Sequence, residues 1–539
     1  MPSLNWLGKD AIIDHHRRVP LHLLAEVPDL AIPGSAPSIH TLIEGDNLLA
    51  LKALLPRYRG RVDCVYIDPP YNTGNEGWVY NDNVNSPQMK TWLAKEVGRD
   101  DLSRHDKWLC MMYPRLVLLR ELLKEGGVIF VSIDKVEFSR LQLMMQEIFG
   151  EDKFIGDLIW KSRQFLDSRS VSGISNDHEY LLVFRKGDVA VRFKGLPRDE
   201  SKYSNPDGDM RGKWMSRSIL GLATKAQRPN LHYPLVDPAT GIEYPCPANT
   251  GWRYNRETMG KKTGEGRIIF PRKSSGRPRE KVFINELQNE GASFPSIIDD
   301  VFTGDGSKEL RDLLGEQQFD FPKPSRLVSR LIDQVTDDNG IILDAFAGSG
   351  TTGHAVMALN AADGGTRECL LVQLGQDQAD GLNIARAITR ERLARVSQGY
   401  TTAKGEAIPG LGQTWRYQTL GESFLDDWGL PRHDLPFADL APIVFQKSVG
   451  ETWRGSLEKR AFLGVSSTGV GVYLLYNGDM EDKDARSRNV LTQAMLDRLA
   501  PHAGPKIVWG AANRVDAQTL VAQRITFRQY PQGLIEVAS

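Results

Sequence analysis

Apolar residues in the first 190 positions fall in short solid runs separated by longer amphipathic stretches. Val62, Val65, Tyr66 and Ile67 make a run of β-branched and aromatic residues without a polar face, the pattern of a parallel strand covered on both sides. Similar runs at 41–44, 128–133 and 180–184 predict further strands. Between them, 46–55, 108–124 and 138–149 repeat apolar positions at helical spacing. The second carries Met111, Met112, Leu116, Leu119 and Leu122, with Gly126 and Gly127 as its expected stop. Strand and helix alternate, which predicts an α/β sheet.

The alternation decays from about 186 to 309, where Pro, Gly, Asn and basic residues interleave with Trp214, Tyr233, Trp252, Tyr254 and Phe270. It resumes with a helix at 325–335, a strand at 341–344, a helix at 352–360 and a strand at 368–373. A last folded segment follows, clearest at 471–476, 490–499, 506–510 and 525–528. The expected organisation is an N-terminal extension (1–39), an α/β half (40–185), a separate module (186–309), a second α/β half (310–413) and a C-terminal domain (414–539). A chain of 539 residues is too long for one core.

Charge changes this picture in one place. The net charge is −1, yet 202–281 holds 16 basic against 7 acidic side chains, an excess of the kind that marks a polyanion-binding surface; a merely solvated loop region is the plainer alternative. Cys64, Cys110, Cys246 and Cys369 lie far apart and form neither a zinc pattern nor a disulfide framework. The first 30 residues, with Lys9, Asp10, Asp14, Arg17 and Arg18, lack the apolar core of a signal peptide. No apolar run approaches the roughly 20 residues needed to cross a bilayer. The expectation is a soluble, cytoplasmic protein with no membrane partner and no metal.

Two strand ends carry candidate chemistry. The strand at 63–67 stops at Asp68-Pro69-Pro70-Tyr71. Two prolines donate no backbone hydrogen bonds and hold φ near −65°, so the chain leaves the sheet as a stiff turn with free carbonyl oxygens. The Asp68 carboxylate and the Pro69 carbonyl can accept both hydrogens of a planar amine, while Tyr71 offers an aromatic face to its ring. This points to methylation of an exocyclic amino group; a structural strand exit is the rival.

The second constellation is the strand 341–344 followed by Ala345-Phe346-Ala347-Gly348-Ser349-Gly350-Thr351-Thr352-Gly353, a small-residue turn opening a helix. Its glycines allow positive φ and close backbone approach, and a helix start presents unpaired N–H groups, so the turn can cradle part of a nucleotide. No Lys follows as a triphosphate loop requires. Gly348 to Gly353 satisfies G-x-G-x-x-G, but the next strand ends at Gln373 instead of an acid, which disfavours a nicotinamide enzyme.

Together these segments resemble the amino-methyltransferases of DNA in the permuted β order. They are more similar still to the modification subunit of type III restriction-modification systems. The likeness rests on 43–49, 66–74, 107–116, 127–134, His178-Glu179-Tyr180, Phe321-Pro322-Lys323-Pro324 and 343–354. It implies a Rossmann-like S-adenosylmethionine-dependent methyltransferase sheet with an inserted target recognition domain and a small α/β C-terminal domain. It implies transfer of a methyl group to N6 of a flipped-out adenine in double-stranded DNA, with Asp68, Pro69, Pro70 and Tyr71 holding the base.

By the same resemblance Phe346, Ala347, Gly348, Ser349, Gly350 and Thr351 line the S-adenosylmethionine pocket with Asp344. Asp46 accepts from the cofactor's adenine amine, and Lys323 and Ser325 border its methionine end. The ribose contact stays open between Gln373 and Gln376. Lys261, Lys262, Arg272, Lys273, Arg277 and Arg279 are the expected DNA-phosphate contacts. His178 and Glu179 read as structural or pocket-edge residues, and Trp78, Trp92 and Trp108 as packing. A homodimer and a translocase and nuclease (restriction) subunit are the implied partners. The alternatives are an adenine methyltransferase without a nuclease partner and an N4-cytosine enzyme, for which Ser is usual where Asp68 stands.

Overall fold

The computed structural model describes residues 4–36, 39–73, 103–166, 173–197, 199–247, 249–286, 293–315, 319–375, 382–402, 404–426, 428, 430–456, 458, 460–484 and 486–535. Trp78, Trp92 and Gln376 lie outside them. The chain divides into two compact units, one of residues 1–192 and 295–539, the other Phe193–Phe294.

The larger unit is built on a ten-stranded sheet. Its strands are β1 (His22–Glu26), β2 (Ile39–Glu44), β3 (Val62–Ile67), β4 (Leu123–Ile133), β5 (Phe154–Trp160), β6 (Glu179–Arg185), β7 (Ile297–Ile298), β8 (Ile341–Asp344), β9 (Glu368–Gln373) and β10 (Thr414–Ser423), in the spatial order β1-β10-β2-β9-β8-β3-β4-β6-β5-β7. From β10 to β4 every neighbouring pair is parallel, β1 is antiparallel to β10, β6 is antiparallel to both β4 and β5, and β7 is parallel to β5. The parallel strands therefore end along one edge. β8 pairs with β3 through Ile342 opposite Cys64 and Leu343 opposite Val65, so strand ends some 280 positions apart in the chain become neighbours.

The helices follow from apolar faces laid on this sheet. They are α1 (Asn47–Tyr58), α2 (Arg104–Leu122), α3 (Phe138–Phe149), α4 (Thr303–Leu314), α5 (Ser325–Val335), α6 (Thr351–Asp363) and α7 (Glu391–Gln398). In α2, Trp108, Met112, Leu116, Leu118, Leu119 and Leu122 are fully buried and join the core of β3 and β4. Ser103 caps α2 in a box with Asp106.

Three expectations shift. Gly126 and Gly127 do not stop a helix: α2 ends at Leu122 and β4 runs through both. Pairing with β3 slips there, Gly126 takes φ 76°, and a Cβ on Gly127 would lie 2.9 Å from the Val62 carbonyl oxygen, so the glycines serve a bulge. The edge strands β1 and β10 come from stretches assigned to the extension and the C-terminal domain; β1 is at the edge with no buried position and β10 beside it is only partly buried, so neither carries the solid apolar run of a covered strand. Around 490–499 the chain forms a two-residue strand, Val490–Leu491, and a short helix, Gln493–Leu496, in place of one element.

Beyond β10, helix Phe437–Val449 packs on a four-stranded sheet of Phe462–Val465, Gly471–Leu474, Lys506–Gly510 and Ile525–Gln529. Arg57 at the end of α1 donates to Asp439 at 2.8 Å, tying this layer to the main sheet. The smaller unit has a three-stranded antiparallel sheet (Ile268–Ile269, Arg279–Phe283, Trp214–Ser218) and a core of Ile219, Tyr233, Leu235, Trp252, Met259 and Ile268. Among the described residues no helix is long and apolar enough to cross a membrane.

Candidate active site

Asp68 follows the last residue of β3, and the turn after it is pinned from two sides. Trp108 Nε1 on α2 donates to the Pro70 carbonyl at 2.6 Å. Asn72 takes the left-handed conformation (φ 57°) and donates through Nδ2 to Glu137 Oε1 at 2.6 Å and to the Arg104 carbonyl at 3.2 Å. Glu137 is buried and also meets His105 Nδ1 at 2.5 Å. The turn is thus fixed by α2 and the start of α3. Among the described residues the Pro69 carbonyl accepts no hydrogen bond, so it and the half-exposed Asp68 carboxylate are the acceptors on offer.

A second carboxylate and a buried cation complete this corner. Because β6 runs antiparallel beside β4, with Tyr180 opposite Ile133, its first residue Glu179 lies at the edge where the parallel strands end. Tyr71 Oη is 2.8 Å from Asp68 Oδ1 and 2.8 Å from Glu179 Oε2. Lys323, just before α5, reaches both Asp68 oxygens at 2.9 and 2.7 Å and Glu179 Oε2 at 3.3 Å. Its ammonium also stands 4.9 Å from the Tyr71 ring centre and 5.8 Å from that of Trp160. Burial alone would lower the Lys323 pKa, but Asp68 and Glu179 outweigh it and keep the ammonium charged. Burial, Asp68 and Glu179 all push the Tyr71 phenol well up, so it stays protonated.

Next to it, the turn after β8 is held by its own side chains. Gly348 (φ 52°) and Gly350 (φ 81°) take conformations that favour glycine. Asp344 accepts from Phe346 N at 2.9 Å and Thr352 Oγ1 at 2.5 Å, and burial raises its pKa to about 7 in spite of them. Gly348 N donates to Gln373 Oε1 at 2.8 Å, so Gln373 braces the turn from the end of β9. Asp46 caps α1, accepting from Leu48 N at 2.8 Å and Leu49 N at 3.2 Å, with its side chain still 44% exposed. Asn47 Nδ2 bonds the Ala345 carbonyl at 2.9 Å, and buried Arg115 donates to Asn47 Oδ1 at 2.5 Å. Asp46 and the turn of Phe346 are therefore brought together.

The structure also shows residues that the sequence did not single out. Buried Arg392 on α7 donates to Ser349 Oγ at 3.0 Å, Thr351 Oγ1 at 2.9 Å and Glu309 Oε2 at 3.0 Å. Ser325 spends its N–H (3.1 Å) and its hydroxyl on the same Glu309. Ser349, Thr351 and Ser325 thus brace the turn from behind. Lys323, expected near the methionine end of a cofactor, has its ammonium on Asp68, and only its carbonyl meets the turn, accepting from Thr351 Oγ1 at 3.1 Å. No local pattern announces these pairs, whose members are 16 to 255 positions apart.

In the smaller unit Lys261, Arg272, Lys273, Arg277 and Arg279 are exposed, as phosphate contacts must be. Arg279 Nε donates to Ser216 Oγ at 2.6 Å across the sheet. Lys262 departs from the expectation: it pairs with the buried Glu280 at 2.7 Å and packs on Tyr254, a role inside the fold.

Residues 62–369 match the DNA methylase family. The type III restriction-modification enzyme StyLTI Mod subunit of Salmonella typhimurium is 34% identical over 72% of this chain and 62% of its own length. The EcoP15I Mod subunit of Escherichia coli is 33% identical over 74% of this chain and 69% of its own. The type II methyltransferase M.KpnI of Klebsiella pneumoniae is 34% identical over 68% of this chain and 89% of its own. The chain thus spans under two thirds of the Salmonella relative. Since the family match includes both strand ends that meet at Asp68 and Asp344, and since these identities extend over most of the chain, the protein belongs to the DNA methylase family.

Proposed function

We propose that the protein is a sequence-specific DNA methyltransferase that moves a methyl group from S-adenosylmethionine to N6 of a flipped-out adenine, as the modification subunit of a type III restriction-modification system. The observation that carries it is the rigid Asp68-Pro69 acceptor pair one strand from the Gly348 turn. A flat amine fits two acceptors held in a fixed turn, and the Tyr71 ring stands ready to stack on the attached base.

The donor set suits the cofactor. Phe346 gives an apolar face, the half-exposed Asp46 an acceptor for an adenine amine, and the glycines backbone that a ligand can approach closely. When bound, S-adenosylmethionine supplies an electrophilic methyl group. The chain's own work is to hold the target. Asp68 and the Pro69 carbonyl draw the amine hydrogens, favour the tetrahedral nitrogen with its lone pair free, and aim it in line. A base within a duplex cannot reach this edge, so it must be flipped. Aspartate at 68, where N4-cytosine enzymes usually carry serine, favours adenine.

The unit Phe193–Phe294, with its exposed basic residues, is the proposed target recognition domain, and the layer after β10 the proposed site for dimerisation or docking of a restriction subunit. The whole acts in the cytoplasm. A second reading is a methyltransferase working without a nuclease partner, which the likeness to the type II methyltransferase M.KpnI, at 34% identity, supports.

The test is incubation with S-adenosylmethionine and unmethylated genomic DNA, then mapping of modified bases by single-molecule sequencing, with Asp68→Ala as control. N6-methyladenine in one short motif, lost with the variant, is the expected result. Absence of any modified base despite cofactor binding would overturn the reading.

A further inference from the structure

The Tyr71 hydroxyl has one hydrogen and two carboxylate neighbours, Asp68 Oδ1 and Glu179 Oε2, each at 2.8 Å. It donates to one at a time. The other contact becomes a hydrogen bond only when a proton sits on one of the carboxyl groups. The corner Asp68, Tyr71, Glu179 is therefore satisfied in full after taking up one further proton.

Methyl transfer to an exocyclic amine releases one. The nitrogen lone pair forms the new N–C bond, the sulfonium C–S bond breaks with its electron pair left on sulfur, and one amine hydrogen leaves as a proton. Asp68 is placed to take it first. It is a poor place to leave it, because Lys323 lies on both Asp68 oxygens at 2.9 and 2.7 Å but at 3.3 Å from Glu179, and so favours the charged form of Asp68 more strongly. Glu179 is also the less exposed of the two, 18% against 28%. The closer ammonium at Asp68 and the deeper position of Glu179 both direct the proton toward Glu179.

We propose that Glu179 is the terminal proton acceptor of the methyl-transfer step, reached from Asp68 through the Tyr71 hydroxyl. The proton on Asp68 passes to the Tyr71 oxygen as the Tyr71 hydrogen passes to Glu179, which restores the Asp68 carboxylate and leaves a neutral Glu179 carboxyl beside Lys323. Tyr71 returns to a phenol throughout. Glu179 acts through Tyr71 and so serves as a positioning residue for the proton. This rests on the methyltransferase reading.

The experiment compares single-turnover methylation by wild type, Glu179→Gln, Tyr71→Phe and the double variant, with cofactor and DNA dissociation constants measured alongside. Gln accepts from the Tyr71 hydroxyl but cannot take a proton, and Phe keeps the ring while removing the relay. The expected result is a rate about 10- to 100-fold lower in each single variant, binding constants within about twofold of wild type, and a double variant no slower than the slower single. A Glu179→Gln rate within about twofold of wild type, or losses that multiply in the double variant, would overturn the proposal. Failure of the wild type itself to methylate would instead count against the methyltransferase reading.

Discussion

Lys323 Nζ grips both oxygens of Asp68 at 2.9 and 2.7 Å although 255 positions separate them. The ammonium compensates two carboxylates, Asp68 and Glu179, which would otherwise face each other across Tyr71 uncompensated. Removing one partner of a buried pair costs about 3–5 kcal/mol, less where water reaches the survivor. Asp68 keeps 28% exposure, so Lys323→Met should destabilise the larger unit by about 2 kcal/mol and lower methylation at least about 100-fold. Urea unfolding and a methylation assay check this; unchanged activity would remove Lys323 from the site.

Trp108 Nε1 holds the Pro70 carbonyl from inside the core, with the indole fully buried. Trp108→Phe keeps most of the packing and loses the bond, at about 1–2 kcal/mol. The freed turn should lower the methylation rate about tenfold while cofactor affinity, which depends on the turn after β8, stays within about twofold. Calorimetric titration with S-adenosylmethionine separates the two effects.

Asp344 titrates near neutrality. Its pKa is raised from 3.8 to about 7 by burial, so the folded chain holds this proton more tightly than the unfolded one. The stabilising contribution of the neutral carboxyl is present in full below about pH 4 and is lost as pH rises through about 7. Asp344→Asn, which still accepts through its amide oxygen, should flatten the fall of unfolding free energy between about pH 4 and 7 by a few kcal/mol. Urea titrations at several pH values decide; parallel curves for both proteins would show that Asp344 is ionised throughout.

Lys262 and Arg277 should part company. Lys262 neutralises the buried Glu280, so Lys262→Met should loosen the smaller unit by about 1–3 kcal/mol. Arg277 is exposed, and Arg277→Ala should leave stability within about 0.5 kcal/mol. If Arg277 meets a phosphate, that change weakens DNA binding and lowers the salt-dependence slope by about 1. Fluorescence anisotropy at several salt concentrations reads both.

Much of the sheet was legible because its strands are covered on both faces. Val62–Ile67 and Ile341–Asp344 read as strands from apolar runs, and their chemistry sits at the ends where the runs stop. Edge strands lose that signal: β1 has no buried position, and β5 alternates, so neither stood out. The Asp68 turn and the Gly348 turn were legible because each is contiguous. Glu179, Lys323 and Arg392 were not legible in their roles, since those roles arise from distances that only the strand order creates. Glu179 was named as a pocket-edge residue, but an antiparallel β6 beside β4 is needed to bring it to Tyr71. Lys323 was named for the cofactor's methionine end, and its contact with Asp68 was not foreseen: the backbone before α5 passes the Gly348 turn, while the long side chain extends past it to β3.

The position of β8 and β9 between β2 and β3 has a kinetic consequence. β2 and β3 are made early, yet they are never neighbours, and the two strands that join them appear some 300 residues later. A ribosome must therefore complete residue 373 before the middle of the sheet can close, and until then two apolar strands wait with open edges. Folding should be slow and sensitive to chaperones, and a chain released before that point should carry the Asp68 segment in a form that cannot modify DNA.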